Sequence, residues 1–219
     1  VGKRLAEGFA VRGHEVVIGT RTPGKPDLVQ WAATLPGKVS IASLTDAARA
    51  GQLLVLAVHG DAALAAVESA GPAHFAGKVL IDVTNPLVFS TGEPPSLFVG
   101  TTDSLGERVQ RAVPAAKVVK AFNTVGSPQM VDPHVQGQTR LELLIAGNDA
   151  GAKRQVTEVV TSFGWNGTVD VGGIDGARWL EAMVPLWVRV AGPIHTFSHI
   201  WVVARDGPPA TVPSGGRNG

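Results

Sequence analysis

The stretch from Val1 to Arg21 constrains the fold more than any other. Leu5, Phe9 and Ala10, with Ala6, lay an apolar stripe at spacings of three and four, the mark of a helix with one buried face. Gly13 is a natural stop for that helix, because glycine takes the left-handed conformation without a Cβ clash. Val16-Val17-Ile18 then forms a short β-branched run, which predicts a strand covered on both faces. Helix, glycine turn and buried strand make up the second half of a βαβ unit.

In a dinucleotide-binding βαβ unit a strand, a G-x-G-x-x-G turn and a helix lead to a second strand, whose end meets the adenosine ribose. Gly2 stands where the third glycine belongs, so the first strand and first two glycines are expected before Val1. The chain reads as lacking roughly ten residues at its start, the length of a strand and its turn. At the end of the second strand a nicotinamide nucleotide without a 2′-phosphate is met by Asp or Glu, and one with it by Arg. Here that place holds Thr20-Arg21-Thr22, with Lys25 close behind and no acid. A carboxylate repels a 2′-phosphate, whereas a guanidinium and hydroxyls bind it through charge-assisted bonds. The expectation is NADP.

The rest of the chain alternates buried strands and helices. Strands are expected at Val39–Ile41, Leu53–Val58, Val79–Val83, Lys117–Ala121, Leu141–Gly147 and Gly167–Val171. Helices are expected near Asp27–Ala33, Thr45–Arg49, Ala62–Ser69 (capped by Asp61), Ser104–Val113, Asp149–Phe163 and Gly176–Val190, the last kinked at Pro185. Between Pro86 and Thr102 runs a polar loop, and Phe197–Ala204 reads as either strand or helix. The pattern is that of an α/β, Rossmann-type, doubly wound and mostly parallel sheet with its first strand missing and a small C-terminal helical extension. Its expected divisions are a dinucleotide-binding domain over 1–146, an α/β extension packing on it over 147–206, and a disordered tail over 207–219.

Composition narrows the function classes. A net charge of +1 without a basic, aromatic-interleaved stripe argues against nucleic acid. The absence of cysteine excludes disulfides, thiolate metal sites and cysteine nucleophiles, and fits a reducing, cytoplasmic setting. The longest apolar region, Trp179 to Val203, is interrupted by Glu181, Arg189 and histidines, too polar for a membrane span. No paired carboxylates in a cleft and no nucleophile-elbow serine are apparent, so no catalytic protein residue is assigned. His195 and His199 have a metal-pair spacing but no third ligand nearby, so no metal is expected. Arg178 and Glu181 are read as an ion pair with each other, and Trp179, Trp187 and Trp201 as core or interface side chains. The helix carrying Leu180, Met183, Val184 and Trp187 is a candidate homodimer surface, the alternative being packing over its own sheet.

Four stretches together resemble the NADPH-dependent reductases of the deazaflavin coenzyme F420, the F420-dependent NADP oxidoreductases. They are Val1-Gly2 through Gly13-His14-Glu15-Val16-Val17-Ile18-Gly19-Thr20-Arg21, Asp82-Val83-Thr84-Asn85-Pro86, Lys120-Ala121-Phe122-Asn123-Thr124, and Gly176-Ala177-Arg178-Trp179-Leu180-Glu181. The resemblance implies hydride transfer between NADP(H) and a second carrier, with coenzyme F420 as that carrier. In an open α/β sheet the ligand lies outside the carboxyl ends of the strands. Val58 and His59, Thr84, Asn85 and Pro86, and Phe122, Asn123 and Thr124 leave strands at that edge. They join Gly2, Thr20, Arg21, Thr22 and Lys25 as the expected cofactor-binding set. His59 is placed to contact the acceptor or relay a proton, though such a residue is more often a hydrogen-bonding loop histidine. Two other readings stand beside this one: an NADPH-dependent reductase of another small acceptor (a metal chelate or an imine), and a non-catalytic NADP-binding regulatory module.

Overall fold

A computed structural model describes residues 1–90, 94–138 and 140–203. The expected tail over 207–219 lies outside the described residues. Helix α1 (Gly2–Val11) ends before Gly13, whose φ of 82° is the left-handed turn that lets β1 (Val16–Gly19) run back beside it. Next come α2 (Pro26–Ala32), β2 (Val39–Ala42), α3 (Leu44–Ala50), β3 (Leu53–Leu56), α4 (Ala63–Ala70) and β4 (Val79–Asp82). A two-residue hairpin, β5 (Leu87–Val88) and β6 (Ser96–Leu97), occupies the stretch expected to be loop. The chain continues with α5 (Leu105–Ala112), β7 (Lys117–Lys120), β8 (Glu142–Gly147), α6 (Ala150–Ser162), β9 (Gly167–Asp170) and α7 (Ala177–Ile194).

Five strands form one sheet in the order β3-β4-β7-β8-β9, parallel except for the β7–β8 pair. Strands β1 and β2 pair in parallel as a separate two-stranded sheet. Val16, Val17 and Ile18 are only half-buried, not covered on both faces as expected, and among the described residues β1 is bonded to β2 alone. Alternate residues of the large sheet feed two cores. Ile81, Val119, Leu143 and Ile145 pack with Leu5 of α1 and Val156 of α6; Leu54, Leu80 and Val118 pack with Ala48 of α3, Val67 of α4 and Val109 of α5. Helices thus cover both faces, the doubly wound arrangement. Burial on both faces is also why these strands are runs of Val, Leu and Ile.

Several local expectations are corrected. Asp61 does not cap α4: a 3-10 turn over Gly60–Ala62 intervenes, and the cap residue is Ala62. Helix α3 starts one residue before the expected Thr45, with Ser43 as its cap accepting from the Asp46 amide. Helix α7 runs on through Pro185 to Ile194, and 195–203 is neither strand nor helix. Leu180, Val184 and Trp187 face the chain's own core, whereas Trp179 is 60% exposed. Among the described residues no helix is long and apolar enough to cross a membrane.

Candidate functional site

At the carboxyl end of β1, the Thr20 amide donates to Ala42 and the Thr22 amide to the Thr20 hydroxyl, which folds Thr20–Lys25 into a turn. Arg21, Thr22 and Lys25 are exposed, and among the described residues neither cation has an ion-pair partner. No carboxylate occurs between Gly19 and Pro26. Close by, α1 starts with Val1 as its cap residue, with no side-chain cap among the described residues and no acid in its first turn. Lys3, over the Trp31 ring of α2 at 4.8 Å, adds a cation to that end. Gly2 sits against the exit of β3: a Cβ there would lie 3.6 Å from Ala57, an ordinary contact. The tight glycine of α1 is instead Gly8, where a Cβ would stand 2.6 Å from Val131.

The exits of β3, β4 and β7 form one continuous rim. A Cβ on Gly60 would stand 2.0 Å from the Asn85 carbonyl oxygen, so glycine alone allows the 57–60 and 84–86 loops to touch. Asn85 Nδ2 donates to the Asn123 carbonyl at 2.9 Å, and Asn123 Nδ2 donates to Asn85 Oδ1 at 3.0 Å and to the Leu180 carbonyl at 3.1 Å. The Asn123 side-chain oxygen is buried without a hydrogen-bond partner among the described residues. Val58 and His59 are exposed on this rim, and Pro86 is buried. Thr84 points inward, its amide and hydroxyl both donating to Asp82 Oδ1 at 2.9 and 2.6 Å. The Phe122 ring lies in the core against Phe163, and its backbone holds a φ of 62°, a costly conformation for a bulky residue. Thr124 is buried too. The rim therefore unites Gly2, Val58, His59, Thr84, Asn85, Pro86, Phe122, Asn123 and Thr124, while the Thr20–Lys25 turn stands apart at the neighbouring strand end.

Beneath the rim lies a group that sequence reasoning missed. Asp82 and Lys120, the last residues of β4 and β7, face each other in register, and Lys120 Nζ reaches Asp82 Oδ2 at 3.0 Å. The same ammonium meets Glu181 Oε1 of α7 at 2.7 Å. Glu181 also accepts the Leu105 and Gly106 amides at the start of α5, both at 2.9 Å. These three side chains are at most 2% exposed. Glu181 is thus not the partner of Arg178, which instead grips Glu107 through two nitrogens. The available signal was a charge closing each of two apolar strands, Val79-Leu80-Ile81-Asp82 and Val118-Val119-Lys120, because charges so placed require partners.

Outside the rim, a groove lined by Gly60, Leu64, Phe98, Leu105 and Arg108 adjoins the His59 loop. A larger depression at the opposite sheet edge is lined by Arg111, Lys117 and Asn148, and its cations are bonded to Asp103 and Asp149. His199 stacks on Trp187 and turns its ring nitrogens to the Thr196 and Trp187 carbonyls.

Residues 1–86 match the family described as NADP oxidoreductase, coenzyme F420-dependent. The F420-dependent NADP reductase of Methanothermobacter marburgensis is 28% identical over 197 residues, covering 86% of this chain and 87% of that protein. A crystal structure from Arthrobacter sp. FB24, provisionally described as an F420-dependent NADP reductase, superposes with a TM-score of 0.87 at 40% identity, over 93% of this chain and 94% of that one. A reductive aminase from Aspergillus terreus shares the fold at a TM-score of 0.59 and 18% identity, over 88% of this chain and 59% of that one.

Proposed function

Because this chain belongs to the family of coenzyme F420-dependent NADP oxidoreductases, we propose that it is an oxidoreductase moving a hydride between NADP(H) and coenzyme F420. The observation that carries the reading is the Thr20–Lys25 turn, with two cations that have no ion-pair partner among the described residues, two hydroxyls and no carboxylate, at the strand end where a ribose 2′-substituent is recognised. Arg21 and Lys25, helped by Thr20 and Thr22, hold the 2′-phosphate, and the uncapped first turn of α1 from Gly2 faces the pyrophosphate. The nicotinamide end lies along Val58–His59, Thr84–Pro86 and Phe122–Thr124. Thr84 and Phe122 serve it through their backbone, since their side chains are turned inward. The orphaned Asn123 oxygen fits a ligand carrying a hydrogen-bond donor, such as a carboxamide.

When bound, the nicotinamide supplies or receives the hydride, so the protein needs no nucleophile of its own. The chain's task is to fix the two carriers face to face and keep water out. Exposed Val58, Leu64 and Phe98 around His59 offer the acceptor ring an apolar bed. We assign residues 1–146 to dinucleotide binding and 147–206 to an extension packed on that domain. We place the enzyme in the cytoplasm, in keeping with its lack of cysteine. Its proposed homodimer forms through the outward side of α7, where Trp179, Leu186 and Ile194 are exposed at near-helical spacing.

Following NADPH by its nicotinamide absorbance, with and without coenzyme F420, tests the reading. Oxidation that depends on the deazaflavin is expected. Oxidation only with an imine or a metal chelate would move the chain to another reductase class, and binding without oxidation by any acceptor would make it a regulator.

A further inference from the structure

The buried group of Asp82, Lys120 and Glu181 does not balance its charge: two carboxylates meet one ammonium. Its remaining bonds run to neutral groups, namely the Thr84 amide and hydroxyl and the Leu105 and Gly106 amides. The amides at the start of α5 bring partial positive charge but no counter-ion. Glu107 at the start of α5 adds no cation to the group, since it is itself paired with Arg178. As a brace alone the arrangement is a poor choice, because apolar side chains of similar volume commonly stabilise as well as a buried ion group does. Its position is more telling. Asp82 and Lys120 immediately precede the two loops, 84–86 and 122–124, that carry the nicotinamide end of the proposed site.

We infer that this surplus carboxylate charge biases the site toward the oxidised nucleotide, with Asp82 and Glu181 tuning bound NADP⁺ against bound NADPH. The inference rests on the NADP(H) reading above. The nicotinamide ring is cationic when oxidised and neutral when reduced, while the rest of the nucleotide is the same in both forms. A fixed negative charge behind the ring therefore attracts one form selectively, and inside the protein it is weakly screened. The sign follows directly: NADP⁺ is held more tightly than it would otherwise be, and bound NADPH becomes the stronger hydride donor. Asp82 and Glu181 act here as positioning and field-setting residues, without touching the reacting atoms.

Glu181→Gln and Asp82→Asn each remove one negative charge at nearly unchanged shape and keep one of the two accepting oxygens, the other being replaced by an NH2 that cannot accept; Glu181→Asp keeps the charge. Calorimetric titration with NADP⁺ and with NADPH separately, on variants checked for folding by circular dichroism, gives the ratio Kd(NADP⁺)/Kd(NADPH). A unit charge roughly 10 Å away at an effective dielectric of about 20–40 corresponds to a rise in that ratio of about fourfold to fifteenfold in either neutralised variant. Glu181→Asp is expected to leave the ratio alone even where both affinities drop. An unchanged ratio in either folded, neutralised variant overturns the inference, and equal weakening of both forms would show the group to be a brace only. Wild-type protein that binds neither form would instead remove the NADP(H) reading, and the inference with it.

Discussion

At the exit of β1, every side chain assigned to the ligand comes from the single stretch Thr20 to Lys25, and its cations are exposed and have no ion-pair partner among the described residues. At the exits of β4 and β7, the side chains come from residues 38 to 76 positions apart, and they are buried and bonded to one another. The first region displays charge at no cost to the fold. The second holds its loops through an ionic group and a clasp of two asparagines that the fold itself depends on. Substitutions should therefore separate: those at the open turn change affinity alone, and those at the closed rim change stability as well.

The sharpest way to break this contrast is Lys120→Met, which leaves Asp82 and Glu181 buried together without a cation. A stability loss of about 3–5 kcal/mol is expected in urea unfolding, and a loss below about 1 kcal/mol would mean that the rim does not rely on its ionic group. Gly60→Ala comes next. Its methyl would meet the Asn85 carbonyl oxygen at 2.0 Å, so the loops must part, at a cost of about 1–3 kcal/mol. Thermal melts that match wild type would show the loop contact to be dispensable.

The smallest effect sharpens the contrast within the closed region, at the α5–α7 junction. The Arg178 hydrogen bonds hold the Glu107 carboxyl below its ordinary 4.5 against the opposing effect of burial. A carboxylate whose pKa is lower folded than unfolded adds stability that is full above the unfolded value and fades as pH falls through the folded one. Melting temperature should accordingly decline below about pH 4.5, with Glu107 contributing about 1 kcal/mol, or roughly 2–4 °C. Arg178→Met should remove that share of the decline, and an identical acid profile in the variant would discount the pair.

The same contrast explains what could be read in advance. The α1–Gly13–β1 unit, the runs of Val, Leu and Ile in β3, β4 and β7, and the helices beginning near Ser104 and Asp149 are local signals, and they appear where periodicity puts them. The acid-free Thr20-Arg21-Thr22 stretch is likewise local, and its role at a ligand is the proposal made above. The Asp82–Lys120–Glu181 group was not, because its members lie on three elements and only tertiary packing joins them. Arg178 was misassigned by the reverse error. A helical i, i+3 spacing suggested Glu181, but that carboxylate is drawn inward to Lys120 and Arg178 turns to Glu107. Asn85 and Asn123 were expected at the ligand edge, but their mutual clasp, with each amide bonded to the other's loop and the Asn123 oxygen without a partner among the described residues, joins loops 38 positions apart and left no local signal.

Titration of wild type and Arg21→Glu with NADPH and with NADH tests the nucleotide assignment most directly. Wild type is expected to prefer NADPH, and the substitution to weaken NADPH by tenfold or more, the equivalent of about 1.4 kcal/mol, while NADH changes by less than about threefold and the melting temperature stays put. Equal losses for the two nucleotides, or no preference in wild type, would contradict the assignment of the β1 turn to a 2′-phosphate.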